Sequence, residues 1–419
     1  MKIIKRLISV TMVCVMLISV TACGGTDRDE EARKLDIETP VTINVWYDNK
    51  DYEIYLNTVA SGLKAANNLV TVNPVYIEAQ DIIDTLYTET VRNNNAPDVY
   101  LMSAENSDKA YLLGLMLEND SYGDIYNENI YGKAAIKSAS YKGKLYGYPV
   151  SFDMPIMVYN KKYASSVDSY YEIKQISDNY QVTEENQNIK KVFDFDASDM
   201  LINYPYVGRY MNIGGDVSEN ADIFTIDELN FKRALKEYAS LKNTFGIDRN
   251  ESTHESCLDE FIQNKLLYTI VNTSDLKKID DSGVSYGIIP VPYLSEGLES
   301  VPMSITTLAV VNPYTSDISV AKTVARAISY DYAADMQALS GHVSARADLI
   351  KKGRKADNTD YNMLHDIYSD SIVKAKYVGV QNIYTRYEIL IHQIWDGKSV
   401  DDAYNEFHKG VESFLTSIR

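Results

Sequence analysis

The residues best placed to do chemistry in this sequence argue against catalysis. Gly283-Val284-Ser285-Tyr286-Gly287 has the G-x-S-x-G spacing that presents a nucleophilic serine on a sharp strand-to-helix turn. Ile288-Ile289-Pro290-Val291-Pro292 follows and cannot open a helix, so the spacing is read as chance. Asp194 and Asp196, in Phe193-Asp194-Phe195-Asp196, are the pair of carboxylates a glycoside hydrolase would need. The same alternation predicts the wet face of an edge strand, and that reading is preferred. His254, His342, His365, His392 and His408 are scattered, with no H-E-x-x-H and no cysteine pair at metal spacing, so they are read as solvated or capping side chains. No metal and no cofactor is expected. A G-x-x-x-x-G-K-[ST] phosphate loop is absent, so nucleotide hydrolysis is excluded. Tyrosine is abundant, at 34 residues. Its flat apolar face and edge hydroxyl suit stacking on a sugar ring as well as packing, and most of these residues must be structural.

The elements that would position such groups alternate. Val41-Thr42-Ile43-Asn44-Val45-Trp46 has the period of a strand. Asp51 is the candidate cap of a helix to about Asn68, with Leu56, Val59, Ala60 and Leu63 on one side. A second strand is expected from Leu69 to Ile77, then a helix opened by Asp81 with Ile82, Ile83, Leu86 and Val91 inward, then a strand at Asp98 to Met102. Strands alternating with helices call for a parallel sheet covered on both faces. Ligands of such sheets sit outside the carboxyl ends of the strands, which singles out Trp46, Asp48, Glu105 and Asn106. Further on, Asp227 can cap a helix carrying Phe231, Leu235, Tyr238, Leu241 and Phe245 that Gly246 can stop, and Ser399 to Asp402 approximates a capping box.

The amino terminus reads as an export signal, with Lys2, Lys5 and Arg6 ahead of an uncharged apolar run from Leu7 to Val20. Val20-Thr21-Ala22-Cys23 resembles the bacterial lipoprotein signal, which implies cleavage after residue 22 and a lipid on Cys23. Residues 23–36 are too polar to bury anything and read as a tether. Of the three cysteines, Cys14 would leave with the signal and Cys23 would be acylated, so Cys257 has no disulfide partner in the mature chain. The formal net charge of −18, made more acidic by loss of Lys2, Lys5 and Arg6, repels nucleic acid and anionic headgroups, so neither is an expected partner.

Gly143-Lys144-Leu145-Tyr146-Gly147-Tyr148-Pro149-Val150, followed by Asp153 and Tyr159-Asn160, resembles the first interlobe crossing of the family 1 extracellular solute-binding proteins. Ala96-Pro97-Asp98-Val99, Asn212-Ile213-Gly214-Gly215-Asp216, Phe261 to Ile270 and Ile288 to Pro292 resemble further parts of that family in the same order. The resemblance implies an α/β, two-lobed periplasmic-binding-protein-like fold of type II, each lobe a sheet flanked by helices and joined by hinge segments. It places lobe 1 in 37–152 and 302–345 and lobe 2 in 153–301 and 346–419. It also implies a function: a monomeric capture subunit of an ABC importer, lipid-anchored through Cys23 on the outer side of the cell membrane or in the periplasm. Such a subunit would close on a small solute, a carbohydrate by preference, and hand it to the permease. The implied ligand residues add Asp153 at the hinge, Asn212, Gly214 and Asp216 from the glycine-rich loop, and Tyr384 as a stacking ring. One departure is Asn272-Thr273-Ser274-Asp275 where the family often has N-G-P-W, which removes a ring from the cleft. The rivals are the same fold binding a polyamine or other small solute, a lipid-anchored polysaccharide hydrolase, and a surface adhesion protein.

Overall fold

The computed structural model describes residues 37–78, 81–93, 95–349 and 359–418. The expected signal, Cys23 and the tether fall outside the described residues.

The chain opens with β1 (Val41–Tyr47), α1 (Glu53–Ala66), β2 (Val70–Tyr76), α2 (Ile82–Arg92) and β3 (Val99–Ser103). Asp51 does not cap α1. Asn49 Oδ1 accepts the Asp51 N–H (3.0 Å), and one 3-10 turn over Lys50–Tyr52 precedes the helix. Asp81 does cap α2, its Oδ1 accepting the N–H groups of Ile83 and Asp84 (3.0 and 3.1 Å). Ile82, Ile83 and Leu86 are buried, but Val91 is 54% exposed because the helical period brings Thr90 inward instead. Then come α3 (Ser107–Leu112), α4 (Lys133–Ala139), the hairpin β4 (Ser140–Tyr141) and β5 (Lys144–Leu145), and β6 (Gly147–Asp153). Only Met154 separates β6 from β7 (Pro155–Asn160).

The middle of the chain supplies α5 (Tyr170–Asp178), β8 (Lys191–Phe193), the hairpin β9 (Met211–Ile213) and β10 (Phe224–Ile226), and α6 (Glu228–Phe245). Asp227 caps α6 through the Asn230 N–H (3.2 Å), and Gly246 ends it at φ 66°. Next are α7 (His254–Ile262), β11 (Leu266–Asn272), α8 (Leu276–Ser282) and β12 (Tyr286–Ile289). Ser285 precedes a strand, not a helix, so the nucleophile-elbow geometry is not formed. The last third holds β13 (Met303–Val311), α9 (Ile318–Arg326), α10 (Met336–Ser340), β14 (Val343–Ser344), α11 (Thr359–Asp370), β15 (Ile372–Val373), α12 (Gln381–Trp395) and α13 (Val400–Ile418).

Two sheets result. The first has order β14-β6-β13-β3-β1-β2 with β15 added on β13, and the second has order β12-β7-β11-β8. The chain therefore changes sheet between β6 and β7 and between β12 and β13. Pairing of β15 with β13 keeps it with the first sheet to Val373, later than the expected change at 345. Apolar residues form three layers. One covers the first sheet outside, around Trp46, Ile83, Tyr100 and Leu308, and one covers the second outside, around Phe231, Tyr238, Tyr268 and Trp395. The third is shared: Phe152, Met154, Ile156 and Val158 run through it from one sheet to the other, with Cys257 and Tyr368 alongside. Burial pushes the Cys257 thiol pKa up, which keeps it protonated and unreactive.

Candidate ligand cleft

Strand direction decides where a ligand can go. β1 is parallel to β3; β13 is antiparallel to both β3 and β6. The carboxyl ends of β1, β3 and β6 therefore share one edge, and the register puts Ser103 and Ser151 on either side of Thr307 and Asp153 opposite Ile305. In the second sheet β11 and β12 are antiparallel to β7 and β8 is parallel to β11, so the carboxyl ends of β8, β11 and β12 lie where β7 begins. Because β7 begins one residue after β6 ends, the two carboxyl-end edges face each other at the crossing.

Asp153 sits at that meeting point. Its Oδ1 accepts the Thr273 hydroxyl (2.9 Å) and the Ser274 N–H (3.0 Å), and its Oδ2 accepts the Ser274 hydroxyl (3.0 Å). The segment that lacks the family's N-G-P-W ring thus supplies three donors to a carboxylate at the end of β6. Burial raises the Asp153 pKa, and those donors oppose the rise. Beside it the buried Tyr52 hydroxyl bonds Ser151 (2.7 Å) and donates to Thr307 (3.1 Å), and burial pushes the Tyr52 pKa up to about 12. Asp48 stands exposed just past β1, yet the surrounding protein disfavours its charge and raises its pKa.

Glu105 follows β3 and forms an ion pair with Lys374, which arrives from the segment after β15. Lys374 Nζ also lies 5.6 Å from the centre of the Tyr384 ring. Asn106 is partly buried beside Glu105. In the glycine-rich loop Asn212 Oδ1 turns back to accept the Gly215 N–H (3.1 Å). Gly214 has φ 85°, and a Cβ there would stand 2.8 Å from the Ser218 carbonyl carbon, so only glycine closes this loop. Asp216 is exposed and its field acts on Lys137, whose pKa burial lowers. Two residues on, Ser218 O accepts the Lys376 N–H (2.8 Å). The fully buried Lys376 ammonium donates to the carbonyls of Lys137 (2.8 Å) and Ser140 and to Glu219 Oε1 (3.1 Å), while Glu219 Oε2 accepts the Lys142 N–H (2.8 Å). Burial lowers the Lys376 pKa to about 8, and Glu219 opposes that fall.

Two expected ligand residues are not at the edge. Trp46 is 6% exposed and packs with Ile82, Ile83 and Tyr100, because period two in β1 sends it to the face that α2 covers. Tyr384 is 1% exposed, and its hydroxyl accepts the Ala375 N–H (2.9 Å) inside the second lobe. Other sequence expectations also change. Asp194 and Asp196 are buried, not a wet strand face. Asp194 takes Lys191 and the Ser252 hydroxyl (2.9 Å), and Asp196 takes the N–H groups of Ser198 (2.8 Å) and His254 (2.9 Å). His365 is buried between Phe152 and Tyr361, so it is not solvated. His254 pairs with Asp275 (2.9 Å), which raises its pKa. No cluster of three metal-ligating side chains occurs among the described residues.

Sequence reasoning missed Lys374 and Lys376. Their signal was present: two lysines at period two between Val373, Ala375 and Tyr377 read as the polar edge of an extended segment. It also missed Tyr52, Thr273 and Ser274, whose roles follow from tertiary pairing alone.

Two sheets with opposed carboxyl ends, joined at a crossing where residues from both make the contacts, define a two-lobed, clamp-type binding protein. The family model for bacterial extracellular solute-binding proteins matches residues 58–361, and the chain belongs to that family. It is similar to the maltodextrin-binding protein MdxE of Bacillus subtilis (strain 168), at 20% identity over 98% of this chain and 99% of that one. Among solved structures it superposes on a cyclo/maltodextrin-binding protein complexed with maltotetraose with TM-score 0.77 at 14% identity, covering 92% of this chain and 100% of that one. An extracellular solute-binding protein from Staphylococcus aureus in complex with maltose gives TM-score 0.76 at 14% identity, over 91% and 100% of the two chains. At such identity the superpositions establish the fold.

Proposed function

We propose that this chain is the capture subunit of an ABC importer, that it clamps a neutral carbohydrate between its lobes and that it releases it chemically unchanged to a membrane permease. The observation that carries this reading is Asp153, at the end of β6 in one sheet, accepting from Thr273 and Ser274, just past β11 in the other, with Asp48 and Glu105 following β1 and β3 on the same edge as Asp153. Carboxylates and hydroxyls at such an edge satisfy sugar hydroxyls that leave water. The relatives named as maltodextrin- and maltose-binding make α-linked glucose oligomers the first candidates. Lobes dividing near 153, 302 and between 345 and 373, a monomeric state, a signal peptide and a lipid on Cys23 complete the proposal. The protein would then stay at the outer face of the cell membrane beside its permease.

Thermal unfolding tests the cargo, since a ligand that binds only the folded state raises the melting temperature. Maltotetraose should raise it, and the rise should shrink in Asp48→Ala, a change at an exposed position. A rise with spermidine and none with any maltodextrin would replace the sugar by a cation. Shorter sugars accumulating in the sample would make the protein a hydrolase.

A further inference from the structure

The outer side of the second lobe carries a groove that the cleft does not use. A cavity of 530 Å³ lies between α5, α6 and the 293–296 loop. A second, of 630 Å³, continues along the loop after β12, and both are lined by Tyr293 and Glu296. None of the cleft residues described above lines either cavity.

Its chemistry is specific. Leu241 and Phe245 give the first cavity an apolar floor, while Glu237, Ser240 and Thr244 project from the same face of α6 at helical spacing. Tyr171 is 68% exposed and Tyr293 39% exposed, so two exposed tyrosines stand at the groove. Both are mounted on fixed backbone: Ser169 bridges to Tyr293, the Tyr170 N–H donates to Tyr293 O (3.2 Å) and the Tyr293 N–H donates to Asp168 O (3.3 Å). Among the described residues, no hydrogen bond or ion pair engages the Glu237 or Glu296 carboxylate. The first cavity's lining cation, Lys174, is paired to Asp178; the second is lined by Asp168, Glu296 and Glu299, of which Glu299 pairs with Arg209 (3.1 Å), and Arg233 is spent on Ser295 Oγ (3.3 Å) and the Glu296 carbonyl (2.6 Å).

This combination selects a ligand class. The Glu237 and Glu296 carboxylates disfavour phosphates and uronic acids, and a purely apolar partner would strand them. A neutral pyranose fits: one face stacks on tyrosine, and its hydroxyls donate to carboxylates. Two cavities joined at one tyrosine hold more than a single ring, so the ligand is a chain. We propose that Tyr171, Tyr293, Glu237 and Glu296 form a second, weaker carbohydrate site that holds an oligosaccharide on the outside of lobe 2. It would keep polymer fragments near the cleft without taking part in closure.

Calorimetric titration of the full chain with maltoheptaose and, separately, cellohexaose tests this. The proposal predicts two classes of site for at least one of these sugars, the weaker losing at least tenfold in affinity in Tyr171→Ala, in Glu237→Gln and in the double variant with Tyr293→Ala. The tighter class should persist in all of them. Because Tyr171 is mostly exposed, its single variant keeps the test valid if the double variant folds poorly. A single class for both sugars that Tyr171→Ala and Glu237→Gln leave unchanged, or a weaker class unmoved by them, would overturn the proposal. Failure of the cleft reading would look different: the tighter class would be missing while the tyrosine-dependent one remained.

Discussion

Asp153 and Trp46 divide the work in opposite ways. Asp153 ends a strand of one sheet, yet its hydrogen-bond partners belong to the other, so its carboxylate fixes how the lobes meet. Trp46, one residue from an edge, contributes its ring to the core. Truncating it should act on stability: Trp46→Ala is expected to lower the unfolding free energy by about 3–5 kcal/mol. Urea denaturation measures this, and a variant of normal stability that had lost sugar binding would place the ring in the cleft after all. The sequence could name Asp153 because an acidic residue after a recognisable crossing has few alternatives. It could not separate Trp46 from Asp48, because period two gives the parity of a strand but not which face its helices cover.

At the scale of elements, the segment after β15 is the part most in need of explanation. Lys374-Ala375-Lys376 leaves the first sheet and reaches the second lobe, and its two ammonium groups bond acceptors of the first: Glu105, and the carbonyls closing α4 and opening β4. Val378 adds its N–H to Asp108 Oδ2 (2.8 Å). Lys376 is buried with its pKa lowered to about 8, against 10.5 for a free lysine. Between those values the unfolded chain binds more protons than the folded one, so stability should rise as pH climbs from about 8 toward 10. Below pH 8 the cost of burying the charge is fully present. Lys376→Met, which has no charge to bury, should lack this rise when unfolding free energy is followed from pH 7 to 9.5. An identical slope in both proteins would mean that Lys376 titrates normally. Helices and strands of this region were legible from periodicity. The strap was not, since two lysines at period two carry the same pattern whether they face water or carbonyls. Capping followed the same divide. Asp81 and Asp227 were read correctly, whereas Asp51 was displaced by Asn49 two residues earlier, where both residue types can cap.

Across the whole molecule, the shared apolar layer joins the two lobes at the crossing. Phe152 stacks on Tyr368 at 3.9 Å and 6°, so α11 rests on the strand that crosses from one lobe to the other. Contacts there are apolar and do not need a ligand, while those at the facing edges are polar and can be exchanged for sugar hydroxyls. On the proposed function, ligand would bias the lobes toward the arrangement in which both edges touch it, by no more than its preference for that arrangement. Small-angle X-ray scattering on the full chain, with and without saturating maltotetraose, tests that claim most directly. A radius of gyration that falls saturably with ligand while the sugar is recovered intact is the predicted result. Saturation of the protein with sugar at an unchanged radius, or recovery of shortened sugar, would contradict it.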